Sequence, residues 1–346
     1  MAVRKTCFRL IACGILIALG VTFLITQKTR QPLYQFPVNK AWINTTVFQN
    51  YRTNEGPGEN FNTSEVERIR KWVMTYFNPD TDLTIKKSQV SLGKSFFKYE
   101  KKPKKKVKIG QYYYQLLPES SPFLGKHFRS CAVVGNSGIL LDSHCGPQID
   151  SADFVFRSNL PDLEGFESDV GTKSNFTTMN QPVLPHEYNG YLTNTTIQEK
   201  FVERLRLIHD QILHIPAMVT SNGLVETQFI TLMIVKHQLP LKVTFAPTNV
   251  YQKLTKLWND SEFKPNRPST GNLLFALAAC LCDQIHLYGY YPFSEDGKGR
   301  KIKYHYYGNI GSLKKHKLPE EYRAFLTFHQ RKGLVLHTEP CDDSRL

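Results

Sequence analysis

CAVVGNSGILLDSHCG, residues 131–146, is the stretch that decides the fold of this chain. Its first four residues are apolar and rich in β-branched side chains, which predicts a buried strand. Gly135 and Gly138 then interrupt the pattern, and apolar residues resume at Ile139. A strand that ends in a glycine turn can present backbone N–H groups to a phosphate, but an ordinary strand-to-helix turn has the same pattern. GNSG lacks the glycine spacing of a dinucleotide fingerprint and the lysine of a P-loop, so both interpretations stay open.

Strand and helix patterns alternate along the rest of the chain. The predicted strands cover residues 132–134, 153–157, 175–178, 211–216, 242–246 and 284–288. The predicted helices cover residues 65–76, 197–208, 224–236, 250–258, 270–282 and 320–329. This alternation predicts an α/β domain with a mainly parallel sheet. Ligands of such domains bind at the carboxyl ends of the strands, where the glycine turn lies.

An uncharged apolar segment lies near the amino terminus. Residues 10–26 would span roughly 25 Å as a helix, enough to cross a thin bilayer. Basic residues flank the segment on both sides, and no Ala-x-Ala-like cleavage site follows it. We therefore predict an uncleaved signal anchor at 10–26, a cytosolic tail at 1–9, a stem at 27–64 and a lumenal domain at 65–346. A cleaved signal peptide is the alternative.

The charge and the glycosylation sequons bear on partners and compartment. The 346 residues carry a net charge of +14, which favours acidic partners. Five N-x-S/T sequons support a secretory route, and nucleic acid is then not expected as a partner. The sequon asparagines are Asn44, Asn62, Asn175, Asn194 and Asn259. A block of six lysines at 101–108 fits a solvated loop or a dock for a polyanionic acceptor.

Five of the seven cysteines fall in the predicted lumenal part, where disulfides can form. They are Cys131, Cys145, Cys280, Cys282 and Cys341. Because five is an odd number, at least one thiol stays free or pairs between chains.

Four stretches carry residues suited to a binding or catalytic site. They are the glycine turn together with Arg157-Ser158-Asn159, the RPSTG of residues 267–271 at the start of a predicted helix, the KYHYY of residues 303–307, and His329. Taken singly, each has an ordinary structural explanation. The glycine stretch fits a turn, RPSTG fits a helix cap, and each histidine fits a hydrogen-bonded core residue.

Taken together, these stretches resemble the four sequence motifs of the animal sialyltransferases, in their α2,8 branch. Residues 131–180 resemble the large motif, residues 267–293 the small motif and YHYY the third motif, and His329 is matched to the histidine of the very small motif. The resemblance implies one Rossmann-like, GT-A-variant glycosyltransferase domain, CMP-sialic acid as donor, a sialylated glycoprotein or ganglioside as acceptor, and a single-pass type II protein of the Golgi membrane. It also implies the disulfides Cys131–Cys282 and Cys145–Cys341, which would leave Cys280 as the spare thiol.

The resemblance further implies an inverting single displacement without a covalent intermediate. His329 would be the general base, and His305, best as imidazolium, would hold the leaving phosphate. The other residues implied to bind the donor are Asn136, Asn159, Ser269, Thr270, Gly271, Tyr291 and Tyr304. The family neutralises the phosphate without a metal, so we interpret the D-x-D at Asp80 and Asp82 as a turn.

The acceptor is less defined by the sequence. The segment 239–268 has a net charge of only +3, where polymerising members are strongly basic, so mono- or oligosialylation is favoured over polysialylation. Two departures from the family pattern are Ser158 in place of a cysteine and Tyr291 in place of a tryptophan. The alternatives are an α2,3- or α2,6-sialyltransferase and a catalytically inactive carbohydrate-binding Golgi protein. The sequence leaves open whether the chain forms a homodimer.

Overall fold

The computed structural model describes residues 61–97, 106–216, 223–247, 249–265, 267–308 and 317–341. The predicted cytosolic tail, the signal anchor at 10–26, residues 27–60 of the stem and residues 101–105 of the lysine block lie outside these ranges. Within the described ranges, no helix has the length and apolar composition needed to cross a membrane.

A seven-stranded parallel sheet forms the centre of the domain. Its strands are β3 (Phe128–Val134), β4 (Phe154–Arg157), β5 (Phe176–Thr178), β6 (Ile212–Ile215), β7 (Lys242–Phe245), β8 (Cys282–Tyr288) and β9 (Val335–His337). Their order is β7-β6-β5-β4-β3-β8-β9, and every neighbouring pair is parallel. A separate antiparallel hairpin pairs β1 (Ser95–Phe97) with β2 (Lys106–Lys108). The strand order reverses between β3 and β8, which is the position where open α/β sheets bind ligands.

Helices pack on both faces of this sheet. They are α1 (Thr63–Met74), α2 (Pro79–Asp82), α3 (Gln111–Leu116), α4 (Gly146–Ser151), α5 (Glu167–Val170), α6 (Val183–Glu187), α7 (Thr195–Arg206), α8 (Gly223–Lys236), α9 (Val250–Asn259), α10 (Thr270–Leu281) and α11 (Leu318–Gln330). Asn62 caps α1, since its Oδ1 accepts from the backbone nitrogen of Glu65 at 3.3 Å.

The second half of strand β3, residues 131–134, has buried apolar side chains on both faces of the sheet. Cys131 and Val133 pack into a core with helices α1, α9, α10 and α11, whereas Ala132 and Val134 pack into a second core with α4 and α5. Successive side chains of a strand point to opposite faces, so a strand covered on both sides has a continuous apolar sequence. The predicted α/β domain with a mainly parallel sheet is therefore confirmed.

Two disulfides hold distant parts of the chain against the glycine turn. Cys131 of β3 is bonded to Cys282 of the neighbouring strand β8. Cys145, next to the start of α4, is bonded to Cys341, which follows β9. Both are the pairs that the sialyltransferase resemblance implies. Cys280 is the free thiol, and burial raises its pKa to about 12, so its reactive thiolate is suppressed near neutral pH.

The sequence patterns missed three of the four strands that have only three residues, namely β9 and the two strands of the hairpin. They also missed the short helices α2 to α6, which have four to six residues each, too few for a helical pattern to be recognised. The helices and strands that were predicted lie within a few residues of their predicted bounds.

Candidate active site

A cavity of about 750 Å³ lies at the carboxyl edge of the sheet. Its floor is formed by the residues that follow strands β3, β4, β5, β6 and β8, and its walls include the first turn of α10 and the first two turns of α11. Protein sites for ligands of drug-like size span roughly 300–1,000 Å³. The cavity therefore has the size and the position of a substrate site in this fold class.

The glycine turn serves close packing of two loops. The backbone nitrogen of Gly135 donates to the Tyr288 carbonyl at 2.7 Å, and that of Gly138 donates to the Lys303 carbonyl at 2.9 Å. A Cβ at Gly135 would lie 2.5 Å from the carbonyl oxygen of Gly289. Both N–H groups therefore already have partners within the protein. Gly135 allows the turn after β3 to contact the turn after β8, and Gly138 allows it to contact Lys303. An ordinary turn therefore explains these glycines better than a phosphate-binding site built from their N–H groups.

Asn136 and Asn159 line the cavity at the ends of the neighbouring strands β3 and β4. Asn136 Nδ2 donates to the Ser158 carbonyl and to the Tyr307 hydroxyl, both at 3.1 Å, whereas its buried Oδ1 has no partner. A carbonyl can only accept, which fixes the orientation of this amide. Asn136 therefore offers a ligand a hydrogen-bond acceptor, its Oδ1. The Oδ1 of Asn159 accepts from the Asn180 backbone at 3.4 Å, so Asn159 can offer its amide nitrogen.

The start of helix α10 is held by two neighbouring elements. Ser269 donates to the Glu321 carboxylate of α11 from its backbone nitrogen (2.8 Å) and from its Oγ (2.6 Å). Thr270 Oγ1 accepts from Asn180 Nδ2 at 2.7 Å. Ser269, Thr270 and Gly271 line the cavity, where the N–H groups of the first turn and the helix dipole favour an anionic group.

Glu321 is a buried acid in the cavity wall. Burial is the largest effect and raises its pKa to about 7, while the two hydrogen bonds from Ser269 act in the opposite direction. The carboxyl group therefore titrates near neutral pH and is partly protonated there.

Aromatic side chains form one wall of the cavity. Tyr290 donates its hydroxyl to the Gly271 carbonyl at 3.0 Å, and a Cβ at Gly271 would lie 2.9 Å from the Tyr290 ring. Tyr291 donates its hydroxyl to a backbone carbonyl, so its ring is what it can offer to a ligand. Tyr304 also lines the cavity, and its ring stacks on His305 with centroids 4.6 Å apart.

His305 lies in the cavity as predicted from sequence. Its Nδ1 is buried and has no hydrogen-bond partner. Burial lowers its pKa below the usual value of 6.5, so the ring is neutral at pH 7 unless an anion lies beside it. The expected imidazolium therefore depends on a bound phosphate, whose charge would raise the pKa again.

His329 is not among the residues that line the cavity, and its predicted role as general base stays a prediction. It is one helical turn beyond Phe325, the last residue of α11 that reaches the cavity. Its Nδ1 accepts from the backbone nitrogen of Leu336 in β9 at 3.3 Å. A general base must lie within hydrogen-bond reach of the proton that it takes, so the assignment predicts that the His329 ring comes within reach of the acceptor hydroxyl.

The Asp80-Thr81-Asp82 stretch forms the short helix α2, away from the cavity. Asp82 pairs with Lys253 at 2.6 Å and also accepts from the backbone nitrogen of Asn78 at 2.9 Å. Among the described residues, no group of three or more histidine, cysteine or acidic side chains is arranged to hold a metal ion.

The sequons differ in exposure. Asn62, Asn194 and Asn259 are exposed, whereas Asn175 is half-buried and its Oδ1 accepts from the Val155 backbone at 2.8 Å. Asn44 lies outside the described residues. An attached glycan thus has most room at the three exposed positions.

Several cavity residues had no functional signal in the sequence. Glu321 has the pattern of an ordinary acid in a first helical turn, and Asn180 that of a loop residue; their contacts with Ser269 and Thr270 come from distant parts of the chain. His186 and Glu187 of α6 also line the cavity. Arg267 belongs to the RPSTG stretch, but no role was predicted for it.

Known proteins match most of the length of this chain. The model of glycosyltransferase family 29 (sialyltransferase) matches residues 72–333. An alpha-N-acetylneuraminide alpha-2,8-sialyltransferase of Xenopus tropicalis is 30% identical over 312 residues, which cover 90% of this chain and 87% of that protein.

One solved structure supports the fold, and a second is reported beside it. A crystal structure of a mammalian sialyltransferase is 22% identical, with a TM-score of 0.51, and the match covers 79% of this chain and 95% of that one. A second, in complex with Gal-beta-1-3GalNAc-ortho-nitrophenol, is 21% identical, with a TM-score of 0.49, and covers 79% and 96%.

Proposed function

The chain belongs to glycosyltransferase family 29, the sialyltransferases, and we propose that it transfers sialic acid from CMP-sialic acid to the terminal sialic acid of a glycan in α2,8 linkage. The observation that carries the site is the buried, unpartnered Nδ1 of His305 in a cavity that also contains the start of helix α10. The relative with this activity supports the linkage.

The proposed donor site uses the groups that the cavity offers. The first turn of α10, with Ser269, Thr270 and Gly271, takes the carboxylate of the donor sialic acid, where N–H groups and the helix dipole favour negative charge. His305 takes the phosphate that leaves as CMP. Asn136 accepts from an N–H or O–H of the nucleoside, and Asn159 donates to the donor.

The aromatic wall completes this site. Tyr291 and Tyr304 pack beside the nucleotide, because their rings are what they present to the cavity. The ring at position 291 is smaller than the tryptophan of the family pattern, so it offers less stacking surface.

The proposed reaction is a single displacement that inverts the anomeric carbon and needs no metal. The acceptor hydroxyl attacks, CMP leaves, and its phosphate charge is stabilised by His305 and the cavity N–H groups. The proton of the hydroxyl goes to His329, the general base that the family resemblance implies. Mono- or oligosialylation is proposed over polysialylation, because the segment 239–268 carries only a small positive charge.

The proposed setting is the Golgi membrane, with residues 10–26 as anchor and the catalytic domain in the lumen. Either a sialylated glycoprotein or a ganglioside fits the proposed acceptor chemistry.

An acceptor panel tests the function. The full chain in detergent is incubated with CMP-sialic acid and EDTA, and with a sialylated glycoprotein, the same glycoprotein after desialylation, or a sialylated ganglioside. The expected result is transfer only to sialylated acceptors. Transfer to the desialylated glycoprotein would instead indicate an α2,3 or α2,6 linkage, and donor binding without transfer would indicate an inactive carbohydrate-binding protein.

A further inference from the structure

Arg267 is the one permanently cationic side chain that lines the cavity within the described part of the chain. It is exposed and precedes Ser269, the cap of α10, by two residues. Tyr251 and Thr255 of α9 line the same cavity, and the chain runs from α9 to Arg267 in seven residues. The guanidinium thus belongs to the part of the wall that lies between helices α9 and α10.

The proposed reaction brings three anionic groups into this cavity. They are the phosphate and the carboxylate of the donor and the carboxylate of the acceptor's terminal sialic acid. His305 and the first turn of α10 match the two donor groups, and they leave the acceptor carboxylate without a counter-charge. The described residues Glu187 and Glu321, which also line the cavity, add negative charge and so increase the need for a cation.

Arginine suits a carboxylate in particular. Its planar guanidinium presents parallel N–H donors that match the two carboxylate oxygens, and it keeps its charge at any physiological pH. A glycan that ends in neutral galactose has no charged group for the guanidinium to bind. An acceptor that ends in sialic acid would therefore gain an interaction at Arg267 that a desialylated acceptor lacks.

We propose that Arg267 binds the carboxylate of the acceptor's terminal sialic acid and thereby selects acceptors that are already sialylated. This inference rests on the proposed α2,8 function and assigns its acceptor specificity to one side chain. Arg267 is a binding residue here and takes no part in proton transfer.

The test uses two acceptors that differ in one group. One is a sialylated glycan with a free carboxylate, and the other is the same glycan with that carboxylate converted to the neutral primary amide. The full chain in detergent is assayed as wild type, Arg267→Met, Arg267→Lys and a control, Arg206→Met. Arg206 is exposed on α7, pairs with Glu203 and does not line the cavity.

Wild type is expected to prefer the acid over the amide by about tenfold or more in kcat/KM, the usual size of a lost hydrogen bond to a charged group. In Arg267→Met this preference falls to near one, because KM for the acid acceptor rises while KM for CMP-sialic acid stays unchanged. Arg267→Lys retains part of the preference, and Arg206→Met behaves as wild type.

Three results would overturn the inference. They are equal use of acid and amide by wild type, an undiminished preference in Arg267→Met, and a rise in KM for the donor in place of the acceptor. The first needs no variant, so a misfolded Arg267→Met leaves the inference testable, and thermal melting checks each variant. Failure of wild type to use any sialylated acceptor would contradict the α2,8 function itself, which separates the two failures.

Discussion

The carboxylate of Glu321 holds Ser269 by two hydrogen bonds, from the backbone nitrogen to Oε1 at 2.8 Å and from Oγ to Oε2 at 2.6 Å. The two residues lie 52 positions apart, and the contact joins helix α11 to the first turn of α10. An acid in one wall of the cavity therefore fixes the position of N–H groups that we propose to bind the donor.

Removing this contact should weaken donor binding. Glu321→Ala is expected to lower the affinity for CMP-sialic acid by about tenfold, because the start of α10 loses its two acceptors. Calorimetric titration with a non-transferable fluorinated donor analogue measures the effect. Glu320→Ala, which changes the neighbouring acid outside the cavity, is the control. In Glu321→Ala/Ser269→Ala the losses should not add, and full additivity would show that the two residues act independently.

The raised pKa of Glu321 makes stability depend on pH. Its pKa is about 7 in the folded protein against an ordinary value of 4.5, so the folded state binds more protons between these values. The resulting stabilisation is complete below the lower value and is lost as the pH rises through the upper one. Relative to Glu321→Gln, the free energy of unfolding of wild type should fall by on the order of 3 kcal/mol from about pH 5 to about pH 8. A pH-independent difference in urea unfolding would refute the assignment.

The disulfide Cys145–Cys341 and the free thiol Cys280 should contribute differently to the free energy of unfolding. Cys145→Ser/Cys341→Ser is expected to lose about 2–5 kcal/mol, because the bond closes a long loop. Cys280→Ser, at the free thiol, should change the free energy of unfolding by less than about 1 kcal/mol. Chemical unfolding under non-reducing conditions gives both values. An equal loss at Cys280 would mean that this thiol has a structural partner in the mature protein.

Two histidines are proposed to act in the reaction, and substitution tests each of them. His305→Asn is expected to lower kcat by a factor of about 100 or more, since it removes the group proposed to stabilise the leaving phosphate. His329→Asn is expected to lower kcat by about 100-fold or more, since it removes the proposed base, and a variant that kept most of kcat would make its contact with Leu336 of β9 purely structural. Steady-state kinetics, with melting temperatures as a check on folding, distinguish the two.

Two other histidines are alternatives for the general base, and their variants can be assayed in the same way. His186 lines the cavity. His316 lies outside the described residues and precedes Leu318, a cavity residue, by two positions in the chain. The variant that loses kcat while keeping its affinity for the donor analogue identifies the base. A full loss of kcat in His329→Asn alone would support His329 as the base.

Local patterns in the sequence were sufficient for six of the seven strands of the sheet and for its large helices. Residues 131–134 are all apolar, and the structure places them in an inner strand of the sheet with a core on each face. The pairing of Cys131 with Cys282 could be expected from family resemblance alone, because spacing does not determine connectivity.

The details of the site depend on contacts that local patterns do not contain. Whether Asn136 offers a donor or an acceptor is decided by the Ser158 carbonyl and the Tyr307 hydroxyl, and Tyr307 lies 171 positions away. The helix 320–329 was predicted nearly correctly, yet which of its turns reaches the cavity depends on how it packs against β9. For this reason Glu321 was missed.

The linkage of the product tests the central claim most directly. Wild-type full chain is incubated with ¹³C-labelled CMP-sialic acid and an α2,3-sialylated glycan, and NMR of the product identifies the oxygen that carries the labelled sugar. The account predicts label on O8 of the pre-existing sialic acid, with no product from His305→Asn above a few per cent of wild type. Label on a galactose oxygen, or no transfer by wild type while the donor analogue binds, would contradict it.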